Sequence, residues 1–189
     1  MTRRLILASR SPRRLMLLKS VGYVVEVKPS QIDESARAGE SVVALVERLS
    51  REKAAACVGQ LEDQVIVAAD TLVAIDDQLL GQPADLSAAR VMLQQLSGRT
   101  HTVTTGLCVR QGAQVWVDHC ATTVHFRALS EAEIDCYLAH NDVLDKAGGY
   151  AIQGGAASFI DRIDGPLDNV IGLPMRLLAT MLARCEERC

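Results

Sequence analysis

No apolar stretch in this 189-residue chain approaches the ~20 uncharged residues that a membrane helix requires. The N-terminus also lacks the long apolar core and small-residue cleavage site of a secretory signal, so no membrane partner is expected and the expected location is cytoplasmic. Cys57, Cys108, Cys120, Cys136, Cys185 and Cys189 are scattered without a Cys-x-x-Cys pair. A domain of this size needs no disulfide staples, and the cysteines read as reduced, mostly small core residues. His101, His119, His125 and His140 show no metal-ligand spacing on a helix, which argues against a structural zinc site. The net charge is -3, without the basic clusters of a nucleic-acid arm, so nucleic acid is not an expected partner. Neither a G-x-G-x-x-G nor a Walker loop occurs. No repeat, low-complexity tract or linker divides the chain. At 49% hydrophobic and 23% charged residues, it can bury a core as a single domain over residues 1–189.

What is present begins with Ser11-Pro12-Arg13-Arg14, directly after the apolar run Leu5-Ile6-Leu7-Ala8. Residues 4–9 read as a buried strand and 12–22 as a helix, with Ser11 as N-cap and Pro12 at the first helical position. A first helical turn favours Asp or Glu, so two arginines there are unexpected. A polyanion such as a phosphate chain bound at this corner accounts for both. The alternative is one arginine paired with a surface carboxylate and the other solvated.

Tyr23 to Val27 reads as a second strand, and a polar loop carrying Glu34 follows. Ser41 caps a helix whose stripe Val42, Leu45, Val46 and Leu49 continues to Lys53, so that lysine faces inward or snorkels at the edge of the inward face. Val65-Ile66-Val67-Ala68-Ala69 is a buried strand that breaks off at Asp70-Thr71 and resumes at Leu72. An ionised carboxylate in such a run costs several kcal/mol unless paired, hydrogen-bonded or on a metal. Asp70 is therefore a catalytic or metal-binding candidate, against a structural turn or ion pair.

Asp76-Asp77-Gln78 reads as a hairpin turn, residues 86–96 as a helix ending at Gly98, and Thr100–Val109 with Val115–Phe126 as an antiparallel pair. Ser130 and Glu133 form a capping-box signature for a helix to about Ala139. Four glycines between Leu144 and Gly155 let backbone amides approach a ligand, although in isolation a plain surface loop is the stronger reading of them. Phe159–Ile163 reads as a strand, and a C-terminal helix starts near Pro174.

Ser9, Arg13, Arg14, Glu34, Lys53, Asp70, Thr71, Lys146 and Gln153 together describe a phosphate site. Cations would neutralise a phosphate chain, and the acidic groups among them imply a bridging divalent cation.

Ala8-Ser9-x-Ser11-Pro12-Arg13-Arg14, Arg51-Glu52-Lys53-Ala54, Ala69-Asp70-Thr71, Asp145-Lys146-Ala147-Gly148 with Ile152-Gln153-Gly154, and Gly172-Leu173-Pro174 resemble the ordered motifs of the Maf nucleotide pyrophosphatases. The resemblance implies an α/β fold, a mixed twisted sheet with flanking helices forming two lobes around a central cleft, akin to the inosine-triphosphate pyrophosphatases and often a homodimer. It implies hydrolysis of nucleoside triphosphates to the monophosphate and pyrophosphate, dependent on Mg²⁺ or Mn²⁺. By the same resemblance Asp70 is the general base, Glu34 and Asp70 hold the metal, and Ser9, Arg13, Arg14 and Lys53 hold the triphosphate.

Arg13, Thr71 and Gln153 match the specificity positions of the branch acting on dTTP and UTP, with CTP as a further pyrimidine. A Gln amide offers a donor and an acceptor to a pyrimidine edge. Gln82-Pro83 stands where the family usually has Lys-Pro, so a neutral amide replaces a cationic phosphate ligand. Either Lys146 compensates or turnover is reduced. An alternative from another class is a nucleotide-binding regulator of cell division or septum formation with weak catalysis; purine or modified nucleotides are a further alternative.

Overall fold

The computed structural model describes residues 4–57, 64–76 and 78–186. Cys189 and Asp77, at the expected hairpin turn, lie outside them. Element order is β1 (Arg4–Leu7), α1 (Pro12–Ser20), β2 (Val24–Val27), α2 (Val42–Ala56), β3 (Val65–Ile75), β4 (Gln78–Leu80), α3 (Leu86–Leu96), β5 (Thr100–Gln111), β6 (Gln114–Phe126), α4 (Glu131–His140), β7 (Ile160–Asp164), α5 (Leu167–Ile171) and α6 (Met175–Glu186). The strands form a mixed sheet in the order β2-β1-β3-β5-β6-β7, with β4 paired to β3. This is the expected α/β class. β1 pairs parallel with β2 and with β3, whereas β4 on β3 and β7 on β6 are antiparallel. The short link between β5 and β6 permits only an antiparallel hairpin.

Two compact units divide the chain. The first comprises residues 1–70, 105–120 and 172–189, the second residues 71–104 and 121–171. In the first, strand alternation sorts the core by face. Leu5, Leu7, Val65, Val67 and Ala69 pack with Leu18 of α1 and with Leu178, Met181 and Leu182 of α6. Their neighbours Ile6, Ala8, Ile66 and Ala68 pack with Ala54 of α2. Both faces of β1 and β3 are thus covered, which is why these strands read as continuous apolar runs. The second unit's core joins Val73, Ala89, Leu93 and Leu96 to the aromatic residues Phe126, Tyr137, Tyr150 and Phe159.

Local signals behave as their chemistry dictates. Ser11, Ser41 and Asp85 accept from backbone amides at the starts of α1, α2 and α3, and Ser130 with Glu133 closes a capping box on α4. Three expectations need correction. The strand from Arg4 ends at Leu7 and α1 at Ser20, two residues earlier than the apolar pattern extends. β3 does not break at Asp70, but runs unbroken from Val65 to Ile75. The glycine-rich stretch is no plain surface loop, because Gly148 and Gly149 are buried in it. Gly148 has φ +71°, and a Cβ there would lie 3.3 Å from Val73.

Candidate active site

Asp70 sits within β3 at 6% exposure, a position that demands compensation. The partner comes from α2. Ser41 starts this helix, and its 3.6-residue repeat carries Lys53 onto the buried face, where it is 8% exposed. Lys53 Nζ donates to Asp70 Oδ1 at 2.5 Å and pairs with Glu34 Oε1 at 2.9 Å. One ammonium therefore stands between two carboxylates, and the inward reading of Lys53 holds.

The corner at α1 lies in the same unit, and there the two arginines diverge. Arg14 Nη1 donates to Ser9 Oγ at 3.1 Å, and its Nε donates to the Gly172 carbonyl at 2.7 Å. Ser9 Oγ also accepts from the Ser11 amide at 3.1 Å. Burial draws the Arg14 pKa below its ordinary value; the Asp70 carboxylate opposes that shift, and neighbouring Arg13 adds to it. Arg13, half-buried, makes no side-chain hydrogen bond or ion pair with the described residues. Pro12 has no N–H, and the Arg14 and Leu15 amides are taken by Ser11. Arg13 thus presents both a guanidinium and a backbone amide at a helix start, the chemistry of an anion site.

The remaining candidates lie in the second unit. Thr71 follows Asp70 on β3 and is half-buried. Gln82 Nε2 donates to the Asp145 carbonyl at 3.3 Å, and Lys146 Nζ pairs with the Asp145 carboxylate. Gln82 and Lys146 therefore converge on one residue. The Gly148 amide donates to the Gly81 carbonyl at 3.0 Å, fixing the glycine-rich turn to the segment that carries Gln82. Gln153 is exposed on a short 3-10 turn, Ile152–Gly154.

His119 Nδ1 lies 2.8 Å from Glu47 Oε1 and 4.0 Å from Asp118 Oδ1, so three ligand types meet although no helical spacing announced them. Among the described residues this is the one cluster of three such groups within 4.8 Å, and it includes neither Glu34 nor Asp70. Cys57, Cys108 and Cys136 are free thiols, and burial pushes the Cys108 thiol up to about 12. The Gly172 carbonyl that orients Arg14 belongs to the Gly172-Leu173-Pro174 motif, whose sequence carries no local sign of that role.

Residues 4–185 match the family model described as Maf-like protein. The chain belongs to the Maf-like protein family. Among Maf relatives, a protein of Pelotomaculum thermopropionicum named dTTP/UTP pyrophosphatase is 43% identical over 182 residues, covering 95% of each chain. One of Anaeromyxobacter sp. strain Fw109-5, with the same name, is 46% identical over 186 residues, covering 96% of this chain and 89% of its own. The Ham1 protein of Staphylococcus aureus overlays 66% of this Maf chain and 72% of its own at a TM-score of 0.48 and 11% identity.

Proposed function

We propose that the protein hydrolyses nucleoside triphosphates to the monophosphate and pyrophosphate, with dTTP and UTP as its substrates. The observation that carries this reading is the buried Lys53, shared by Asp70 and Glu34, whose carboxylates also act on Arg14 at the α1 corner. Relatives named for that activity, at 43% and 46% identity over nearly their whole lengths, support it.

In this reading the Arg13 guanidinium and backbone amide receive the phosphate chain. Arg14 holds the corner in shape through Ser9 and Gly172. Asp70 accepts a proton from water as the water oxygen forms a bond to the α-phosphorus. The bond from that phosphorus to the bridging oxygen breaks, and its electron pair leaves with pyrophosphate. General-base assistance of this kind contributes ~10²–10⁴-fold in rate. Lys53 holds the Asp70 carboxylate in place.

Glu34 and Asp70 fit a divalent cation by donor chemistry, since both offer hard carboxylate oxygens to one point, where Lys53 Nζ now balances them. Those two residues would hold Mg²⁺ or Mn²⁺. When bound, the ion supplies charge neutralisation for the phosphate oxygens. Gln82 cannot supply positive charge, and Lys146 stands on the same Asp145 to do so. Gln153, exposed on its turn, is free to read a pyrimidine edge.

A panel of purified nucleoside triphosphates with Mg²⁺ or Mn²⁺ tests the reading. UTP and dTTP should release pyrophosphate with the highest kcat/KM, chelation should abolish turnover, and Asp70→Asn should remove it while leaving the protein folded by circular dichroism. Preference for ITP or GTP would reject the pyrimidine assignment. An active Asp70→Asn enzyme would remove the proposed base.

A further inference from the structure

Glu34 belongs to a segment, residues 28–40, with neither helix nor strand, and its side chain is 55% exposed. A glutamate so placed keeps many rotamers unless the backbone beneath it is held, and suppressing that freedom costs entropy. Yet its carboxylate lies against Lys53.

The hold comes from Arg48, one and a half turns before Lys53 on α2. Its side chain is only 11% exposed. Nε donates to Glu40 Oε1 at 2.7 Å and Nη2 to Glu40 Oε2 at 2.8 Å, a bidentate pair across the end of the segment. Nη2 also donates to the Ser35 carbonyl at 2.9 Å, and Nη1 to Glu52 Oε2 at 3.0 Å. Glu40 Oε2 accepts from the Arg37 amide at 3.0 Å, and Glu52 Oε1 from Arg37 Nη2 at 3.0 Å. On the other side of Glu34, Asp33 Oδ1 accepts from the Ser35 amide at 2.9 Å. The residue directly after Glu34 is therefore fixed by its carbonyl to α2 and by its amide to Asp33. Two arginines face two glutamates in this network, and Asp33 lies within reach of both arginines. Exposed ion pairs contribute little, but Arg48 and Glu40 are nearly enclosed, and the bond to Ser35 O is to backbone.

We infer that Arg48 is a positioning residue for Glu34: by gripping Ser35 O and Glu40 from α2, it locks the loop to the helix that carries Lys53. The inference rests on the reading of Glu34 as part of the reacting cluster. A lysine cannot replace Arg48, because a single ammonium cannot span both Glu40 oxygens and the Ser35 carbonyl.

A double-mutant cycle tests it with the full chain. Arg48→Ala should lower kcat/KM for UTP about tenfold or more and raise the Mg²⁺ concentration needed for half-maximal rate, and Arg48→Lys should move both in the same direction. In a Glu34→Ala background, Arg48→Ala should change kcat/KM less than about twofold, since the positioned group is gone. Hydrogen exchange in residues 29–40 should speed up in the Arg48 variants while β3 keeps its protection. Additive losses, or a Mg²⁺ dependence untouched by Arg48→Lys, would overturn the positioning role and leave Arg48 a stability element. If Arg48→Ala does not fold, Arg48→Lys carries the cycle. A wild-type protein inert toward every triphosphate defeats the catalytic reading instead, and the grip on the loop is then decided by exchange alone: unchanged rates in residues 29–40 refute it.

Discussion

Arg13 and Arg14 are adjacent in the sequence and chemically identical, yet they occupy different environments. Arg14 is spent on Ser9 and on a carbonyl 158 residues away, while Arg13 keeps its guanidinium and amide unengaged by the described residues. Arg14→Ala would strand Gly172 O, remove packing under α1 and destabilise the fold by roughly 1–3 kcal/mol. Arg13→Ala should leave the denaturation midpoint unchanged and raise KM for UTP about tenfold. Chemical denaturation and steady-state kinetics on both variants check this, and equal destabilisation by the two would refute the division. The anion corner itself was legible from Ser11, Pro12 and the paired arginines, because capping is a local matter. Which arginine turns inward was not, since the deciding acceptor comes from Gly172. Asp70 teaches the same lesson. Its presence in an apolar run marked it, but only Lys53, reaching across from α2, explains why the strand continues through it.

At the scale of elements, α2 is the member on which the first unit's cluster depends. Its position is set by Gly106 on β5, where an added Cβ would lie 2.2 Å from the Val46 carbonyl oxygen and 2.8 Å from the Glu47 amide. Those are backbone atoms, so the helix itself would have to move. Gly106→Ala should therefore destabilise the protein by about 1–3 kcal/mol and, below its melting temperature, lower kcat more than KM, because Lys53 would be drawn away from Asp70. A destabilised but kinetically normal Gly106→Ala variant would show that α2 relaxes without disturbing that pair. The extent of α2 was readable from Ser41 and the apolar repeat, as α3 and α4 were from Gly98 and the Ser130 capping box, whereas the Asp85 cap of α3 was not singled out by the sequence. The tolerance between helix and sheet at Gly106 was not, for it depends on which strand the helix covers.

For the whole molecule, the second unit's core ties folding to pH. His101 is 2% exposed, its Nε2 lies 2.7 Å from the Tyr150 hydroxyl, and Nδ1 has no partner. Burial first, and then nearby His125, push its pKa from 6.5 down to about 4. Below pH 6.5 the unfolded chain gains a proton there that the native protein refuses until about pH 4. Stability is thus complete above that window and falls as pH drops through it, by on the order of 3 kcal/mol. Denaturant titrations at pH 7 and pH 5 should show the loss, and His101→Gln should flatten it; an unchanged slope would assign it elsewhere. Glu40 and Glu133, held to about 2 by Arg48 and Arg127, add to acid sensitivity only at lower pH, where free carboxylates protonate. By itself the sequence determined the α/β class, most helix starts, the two-faced burial of β1 and β3, and the set of phosphate-binding candidates, because periodicity, capping and the cost of a misplaced charge act within a few residues. The tertiary structure alone decided that Lys53 bridges Glu34 and Asp70, that Arg14 serves the fold while Arg13 stays open, that Gln82 and Lys146 meet at Asp145, and that Arg48 grips the Glu34 loop. Each of those depends on how separate segments are brought together, and a chain's local chemistry specifies what a charge needs without specifying which partner meets that need.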